Sequence, residues 1–513
     1  MSINPNSIRQ YIDSLNLEDP NNFPFFIKQI QMIQFRNIKG LVVDFTHPIS
    51  VISGTNKTGK TSLLLALACS HEQFKKRNVT NGLVNRQTWS SVMKFSQHDM
   101  QDMDWEYTIS YKMGEKNETK RGQRKCKTRK WNGLGKKEGQ IKNREVVFID
   151  LDRLLPARSF GTMAFVNTRK AKITGPQVKD IALLNEYVSY VFEQTSDVNK
   201  CADYLNKDIF KYKSNNTKYS SYNAASGEDA LLHMLIDIIN AAPKSLILID
   251  EIESGLHPRV QRRLSDVLYD IAKRDSKQFI VTTHSPTLMS CFPKESRIFI
   301  EKTNQGMSRA IKGVSPITCM TKMDSASHPL VEIFCEDTNA KKIIDKAICQ
   351  ISKTHSSFQR LVSLVAVGTA DITYKVYDLH KLIFPKKKQY KVGYACILDG
   401  DMEGKKDKKG NLLYPLEKGE KTLYFLEFPK SIEVSLIERY LKKQPNETLE
   451  YHLKHSNIHC LFQKMVEEGL FESEDVAFEA CWKLYYQTDQ GKIMFNNLKK
   501  FLIQVTTYFS EIL

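Results

Sequence analysis

Apolar and polar positions alternate through FFIKQIQMIQF (25–35), which predicts a half-buried strand, and a second short strand is expected over 41–45. Residues 48–53 form an apolar run leading straight into Gly54, and the SLLLALA stretch that follows Lys60 and Thr61 reads as helix. SLILIDE (245–251) is a run of buried-parallel-strand type that ends in two acids. A helical pattern, DALLHMLIDIINAA (229–242), precedes it, and QFIVTTHSP (278–286) adds a further strand. Residues 181–211 read as helix. After 315 the pattern restarts with LVEIFC (330–335), LVSLVAVG (361–368), YKVGYACILDG (390–400) and TLYFLEF (422–428), each an apolar run and most followed by a helical segment. Alternation of this kind implies a small parallel α/β domain. The expected fold class is therefore α/β throughout, with domains at 1–315 and 316–513. The first carries a basic insertion at about 112–144 and a helical arm or dimer region at about 175–215.

The chain has 513 residues, of which 41% are hydrophobic and 26% charged, so a disordered or collagen-like chain is excluded. At about 150 residues per domain, roughly three domains are expected. Lys and Arg number 75 against 58 Asp and Glu, a net charge of +17 that favours a polyanionic partner, nucleic acid first. The insertion concentrates this excess: residues 115–144 hold twelve Lys or Arg, three Glu and Trp131. Two readings stand: a basic hairpin tracking a nucleic-acid backbone, or a solvated loop. The ten cysteines form no CxxC pair, so reduced thiols are expected rather than a disulfide framework or zinc ribbon. The start, MSINPNSIRQYIDSL, lacks the apolar core of a signal peptide, and no apolar run is long enough to span a bilayer. The protein is expected to be soluble and cytoplasmic.

GTNKTGKT (54–61) matches GxxxxGK[ST] without departure, between an expected strand and an expected helix. Gly54, Asn56, Lys57, Thr58, Gly59 and Ser62 would let backbone amides wrap a phosphate chain, with the helix N-terminus aimed at it. Lys60 would bind the β/γ-phosphates and Thr61 would give its hydroxyl to Mg2+. Asp250 would hold Mg2+ through water, and Glu251 would act as general base on the attacking water. Ser226 and Gly227, at a helix start, form a second amide-rich cradle. His284, at a strand end, would contact a γ-phosphate.

Together these residues resemble the ATP-binding-cassette ATPases, in the soluble branch that includes RecF and SMC-like proteins. Phe35-Arg36-Asn37 in the opening strand region supports that branch. The resemblance makes 54–61 the Walker A loop, Asp250-Glu251 Walker B with its catalytic glutamate, 226–228 the signature motif, 254–257 the D-loop and His284 the switch histidine. It implies a homodimer or higher homo-oligomer, with ATP sandwiched between two heads and Ser226 of one copy completing the site of the other. Ala224-Ala225 stand where the family often has Leu-Ser. Gln87 and Gln97 are the two candidates for the Q-loop. The absence of a long heptad array excludes an SMC-type coiled coil.

In the C-terminal third, Glu336 closes one strand and Asp399-Gly400-Asp401 another. Carboxylates gathered at one sheet edge repel unless divalent cations neutralise them, and hard oxygen ligands select Mg2+ or Mn2+. Two such ions can activate water and stabilise the leaving oxygen of a phosphodiester. This region resembles a TOPRIM domain, with Glu336 as the strand-end glutamate, Asp399 and Asp401 as the DxD, and Gly368 as the glycine after the second strand. Asp337 stands where the family usually has Gly, and Ala340 where OLD-type proteins often have another acid. Glu433 resembles the later glutamate of OLD nucleases and Lys492 their C-terminal lysine.

An ABC head followed by a TOPRIM domain is the architecture of the OLD (overcoming lysogenisation defect) family, and the resemblance covers roughly residues 25–500. It implies a metal-dependent DNA endonuclease on an ATPase dimer, of a kind that serves in anti-phage systems such as Gabija and some retrons, with defence-system proteins or nucleic acid as further partners. Lys386, Lys387, Lys388, Lys405, Lys406, Lys408 and Lys409 would attract the DNA backbone, or else form a charged surface loop. RNA remains open as substrate. The alternatives are an ATP-switched DNA clamp with a non-catalytic TOPRIM domain, and a RecF-like repair ATPase.

Overall fold

The computed structural model describes residues 4–77, 84–95, 103–155, 178–204, 207–214, 217–303, 305–324, 328–355, 358–387, 391–417 and 419–512. The chain divides into two compact units, Met1–Cys319 and Met320–Leu513.

The first unit is built on an eight-stranded sheet. Its spatial order is Ser308–Lys312, Arg297–Lys302, Ile49–Gly54, Gln278–Thr282, Leu246–Ile249, Ile141–Ile149, His71–Arg77 and Val84–Arg86. The six inner strands run parallel and only the two edge strands are antiparallel. Strands Ile49–Gly54, Leu246–Ile249 and Gln278–Thr282 are buried at every position. That burial is why they read as unbroken apolar runs rather than alternating ones. Helix Lys60–Cys69 is apolar almost all round and nine of its ten residues are buried, so packing on all sides holds it, not an amphipathic stripe.

A second, five-stranded antiparallel sheet joins Ile38–Asp44, Phe25–Phe35, Trp105–Met113, Lys116–Arg124 and Trp131–Gly133. The basic insertion therefore begins as a hairpin, Trp105–Met113 on Lys116–Arg124, turning at Gly114 with φ 60°. Lys112, the insertion's first residue, is buried and its ammonium is held by the carbonyls of Leu17, Asp19 and Asn22.

The expected helix over 181–211 is shorter than its sequence suggests. Helix Ile181–Phe192 ends at Glu193, which takes a left-handed φ of 57°, and a three-stranded antiparallel sheet follows: Ser196–Tyr204, Lys207–Ser214 and Thr217–Ser220. Among the described residues Val198, Ile209, Phe210 and Tyr212 are buried in it, and β-branched and aromatic side chains of this kind favour a pleated surface over a helix.

The second unit has a four-stranded, all-parallel sheet in the order Val362–Ala366, Val331–Cys335, Gly393–Asp399, Leu423–Leu426. Helices Thr338–Thr354 and Ala370–Ile383 make the crossovers, and helices from Ile432 to Ile512 complete the unit. Helix Thr338–Thr354 buries Ala340, Ile343, Ile344, Ala347, Ile348 and Ile351, a single 3.6-period face, and Asp337 caps its start. No described helix is long and apolar enough to cross a membrane.

Candidate functional sites

In the first unit, the loop 54–61 links strand Ile49–Gly54 to helix Lys60–Cys69. Gly59 has φ 99°, and a Cβ there would stand 2.4 Å from the Ile38 side chain, so the loop needs glycine at this point. Lys60 is almost buried, with Nζ donating to the carbonyls of Gly54 (2.8 Å) and Thr55 (3.2 Å). Thr61 Oγ1 donates to Asp250 Oδ2 at 2.7 Å, and Thr282 Oγ1 donates to Asp250 Oδ1 at 2.5 Å. Glu251 follows with a left-handed φ of 45°, strained for a non-glycine residue. It is clamped from both ends. Its N–H donates to Thr282 Oγ1 at 2.8 Å, and its carbonyl accepts Arg153 Nη2 at 2.6 Å. Arg153 Nη1 also reaches the carbonyl of Asp250 at 2.9 Å. His284 N–H donates to Glu253 Oε1 at 2.5 Å.

Asn56, Lys57, Thr58, Gly59, Lys60, Thr61, Ser62, Asp250, Glu251 and His284 line one cleft of about 790 Å³, which Phe95 and Trp105 also border. Burial lowers the Lys60 pKa, against the opposing pull of the Asp250, Glu251 and Glu253 charges. Burial, with the Lys60 charge adding to it, holds His284 below its ordinary value, so its imidazole is neutral at pH 7. The loop amides, the Lys60 ammonium and the helix N-terminus make a polyphosphate cradle. The paired oxygens of Thr61 and Asp250 form a hard donor set suited to Mg2+.

Ser226 and Gly227 do not line this cleft. Ser226 is exposed at the start of helix Ser226–Asn240. Gly227 is packed so tightly that an added Cβ would lie 1.9 Å from the Gly255 carbonyl oxygen. Gln87 lies away from the cleft too, its N–H bonded to the Phe74 carbonyl, and Gln97 falls outside the described residues. Thr282, Arg153 and Glu253 were not singled out from the sequence. Thr282 was within reach, as the residue two before His284 on the same strand. Arg153 carries no motif, because only the parallel register of strands Ile141–Ile149 and Leu246–Ile249 brings it to the acids.

In the second unit the acids gather at the carboxyl edge of the parallel sheet. Glu336 follows strand Val331–Cys335, and Asp399 ends the neighbouring strand. Glu336 Oε1 accepts the Asp399 N–H at 2.7 Å, which ties the two strand ends together. Asp399 is 8% exposed and its Oδ1 is buried without a hydrogen-bond partner. A buried, unpaired carboxylate oxygen is expensive, and binding a cation removes that cost. Burial, then the charge of Glu336, pushes the Asp399 carboxyl up to about 9, and burial pushes Glu336 to about 6. Asp401 is more exposed and meets Lys405 Nζ at 3.1 Å. Glu433 is 1% exposed in the first turn of helix Ile432–Leu441, and its Oε1 accepts Asn339 Nδ2 at 2.9 Å. All-oxygen donors with one orphaned atom fit a hard divalent cation.

Lys492 does not join this cluster. It sits on helix Asp489–Ile512 with its Nζ 4.0 Å from Asp489 Oδ1, one turn away. Lys386, Lys387, Lys405, Lys406, Lys408 and Lys409 are exposed, and Lys388 falls outside the described residues. In the first unit's insertion, Lys127, Arg129 and Lys130 are exposed beside Trp131, which stacks on Trp89 at 4.2 Å between ring centroids.

Comparison with known proteins bears on the first unit. Residues 114–290 match the family described as "AAA domain, putative AbiEii toxin, Type IV TA system". A segment of 71 residues is 38% identical to the DNA replication and repair protein RecF of Oenococcus oeni. It covers 13% of this chain and 17% of that protein, so the chain spans about a sixth of the length of the relative it matches. Among solved structures, the SMC head domain from Thermotoga maritima superposes at 13% identity and a TM-score of 0.35, over 56% of this chain and 98% of that one. An SMC head bound to the C-terminal domain of ScpA from Pyrococcus furiosus gives 11% identity and 0.35, over 56% and 96%. These superpositions are too loose to carry a structural argument.

Proposed function

We propose that the chain is an ATP-binding and ATP-hydrolysing, divalent-metal-dependent DNA endonuclease of the OLD type, with an ABC-type ATPase head and a TOPRIM-like second unit. The observation that carries it is the buried carboxylate pair Glu336–Asp399. It lies at the carboxyl edge of a parallel sheet, with an orphaned oxygen aimed at no protein donor, in a chain that also holds a complete P-loop.

At the P-loop, Lys60 and the loop amides bind the ATP phosphates. Thr61 and Asp250 hold Mg2+, which neutralises charge on the β/γ-phosphates when bound. Glu251, held at its backbone by Thr282 and Arg153, orients the attacking water and takes its proton, and neutral His284 donates to the γ-phosphate. Ser226, exposed at its helix start, is open to a second copy's nucleotide, which makes a head-to-head homodimer the working assembly. In the second unit Glu336, Asp399, Asp401 and Glu433 hold Mg2+ or Mn2+, the ions that supply Lewis acidity and an activated water when bound. The exposed lysines around the DxD and along the insertion contact the DNA backbone without reading sequence. ATP-driven dimerisation gates cleavage, and the role is defence against phage.

Two variants separate the sites. Asp399→Ala is expected to abolish cleavage of plasmid DNA while leaving ATP affinity unchanged. Lys60→Ala is expected to lose ATP binding while the second unit keeps its metal. Normal cleavage by the Asp399 variant overturns the assignment. The RecF segment supports a second reading, a repair ATPase whose second unit is not catalytic. That reading expects no cleavage by the wild-type protein under any metal condition.

A further inference from the structure

Ala340, in the first turn of helix Thr338–Thr354, offers no ligand atom from its side chain. Its side chain is buried in the helix face, and only its N–H touches an acid, donating to Asp337 Oδ1 at 2.8 Å. Nearby, three groups that have no assigned role together converge. One oxygen of Asp337, one of Glu433 and a ring nitrogen of His459 all lie within 4.8 Å of one another. They come from three elements: the cap of helix Thr338–Thr354, the first turn of helix Ile432–Leu441 and the short turn Ile458–Cys460. His459 Nδ1 is 3.7 Å from Glu433 Oε1, too far for a hydrogen bond, and that oxygen already accepts Asn339 Nδ2.

We propose that Asp337, Glu433 and His459 form a second cation site. It rests on the metal-dependent reading above, and its mixed oxygen–nitrogen donor set favours a divalent transition ion such as Mn2+ over Mg2+. Two observations support it independently of the cluster's composition. Glu433 is 1% exposed with no cationic side chain in hydrogen-bond contact among the described residues, and His459 Nδ1, 3.7 Å away, is a counter-ion only when protonated. Asp399, beside it, keeps a buried oxygen without a partner, and the charges of Asp337 and Glu433 both act on that carboxyl. A cation among Asp337, Glu433 and His459 supplies Glu433 with positive charge and offsets the negative field that these acids impose on Asp399. Imidazole suits transition ions, whereas Mg2+ prefers oxygen and dehydrates reluctantly, so the histidine sets the preference. His459 is 66% exposed in its side chain, which leaves the site open on one side for water or a phosphate oxygen.

The test uses the full-length, nucleotide-free protein titrated with Mn2+, read by binding calorimetry and by pulsed electron paramagnetic resonance for nitrogen coupling to the ion. Wild-type protein is expected to show imidazole nitrogen coupling. His459→Ala is expected to lose it and to weaken Mn2+ binding at least about tenfold, with a smaller change for Mg2+. Asp337→Asn is expected to weaken Mn2+ binding with the fold kept, as checked by an unchanged circular dichroism spectrum and melting transition. Nitrogen coupling that survives in His459→Ala, or Mn2+ affinity equal to wild type in both variants, overturns the site. Plasmid cleavage scored in parallel separates the two claims. His459-dependent Mn2+ binding without cleavage sinks the nuclease reading and keeps this site. Cleavage with Mn2+ affinity indifferent to His459 does the reverse.

Discussion

Burial ties the protonation of Asp399 and Glu336 to the fold. The folded chain holds their protons to about 9 and about 6, whereas an unfolded carboxyl releases its proton near 4. Between those limits the folded state binds more protons than the unfolded one, so metal-free stability falls as pH rises through the window. Calorimetry of the metal-free protein is expected to show a melting temperature that drops between about pH 5 and pH 9. Asp399→Asn is expected to flatten that drop and to gain about 1–3 kcal/mol at pH 8, since it removes a buried, unpaired acid. An unchanged slope in the variant contradicts the assignment. In the first unit Glu251→Gln keeps the backbone clamp and removes the base, so ATP affinity should hold while hydrolysis falls by about 10²–10⁴-fold in a steady-state assay. Single residues were legible where chemistry is contiguous, as at Lys60 and Thr61 or in the DxD. Arg153 and His459 were not, because tertiary packing alone brings them to their sites. Lys492, expected from the resemblance to serve the second unit's site, forms no ion pair with its acids; its ammonium stands 4.0 Å from Asp489 Oδ1.

Elements were easiest to read where burial is complete. Strands Leu246–Ile249 and Gln278–Thr282 announce themselves as apolar runs, and the βα alternation of the second unit follows from the same signal. The segment beyond Phe192 was misread because its helix stops at a left-handed Glu193, a conformation no residue type there advertises, and the following strands carry mixed polar and aromatic residues. The helix Ser226–Asn240 offers a test at this scale. Gly227→Ala puts a methyl 1.9 Å from the Gly255 carbonyl oxygen, so the segment after Glu251 must shift. A loss of about 1–3 kcal/mol is expected, read as a lower melting temperature. Ser226→Ala, at an exposed position, is expected to leave stability within about 0.5 kcal/mol yet lower ATP hydrolysis, because the proposal assigns its hydroxyl to a second copy's nucleotide. Equal hydrolysis by Ser226→Ala and wild type would argue against the shared site.

Across the whole molecule, a net charge of +17 and exposed lysines in both units suit a polyanionic partner. In the P-loop unit the nucleotide cleft was legible from its motifs, whereas the three-stranded antiparallel sheet after Phe192 was not. The second unit was legible as a parallel sheet with acids at its edge, while the approach of Asp337 and His459 to Glu433 needed the fold. The account's central claim is that the second unit cuts DNA with metal under control of the first. The most direct measurement incubates purified protein with supercoiled plasmid, Mg2+ or Mn2+, and with or without ATP, beside an Asp399→Ala/Asp401→Ala double variant. The expected result is metal-dependent nicking or linearisation that responds to ATP and is lost in the double variant. Cleavage that survives in the double variant, or wild-type protein that leaves the plasmid intact under every metal and nucleotide condition, would contradict it.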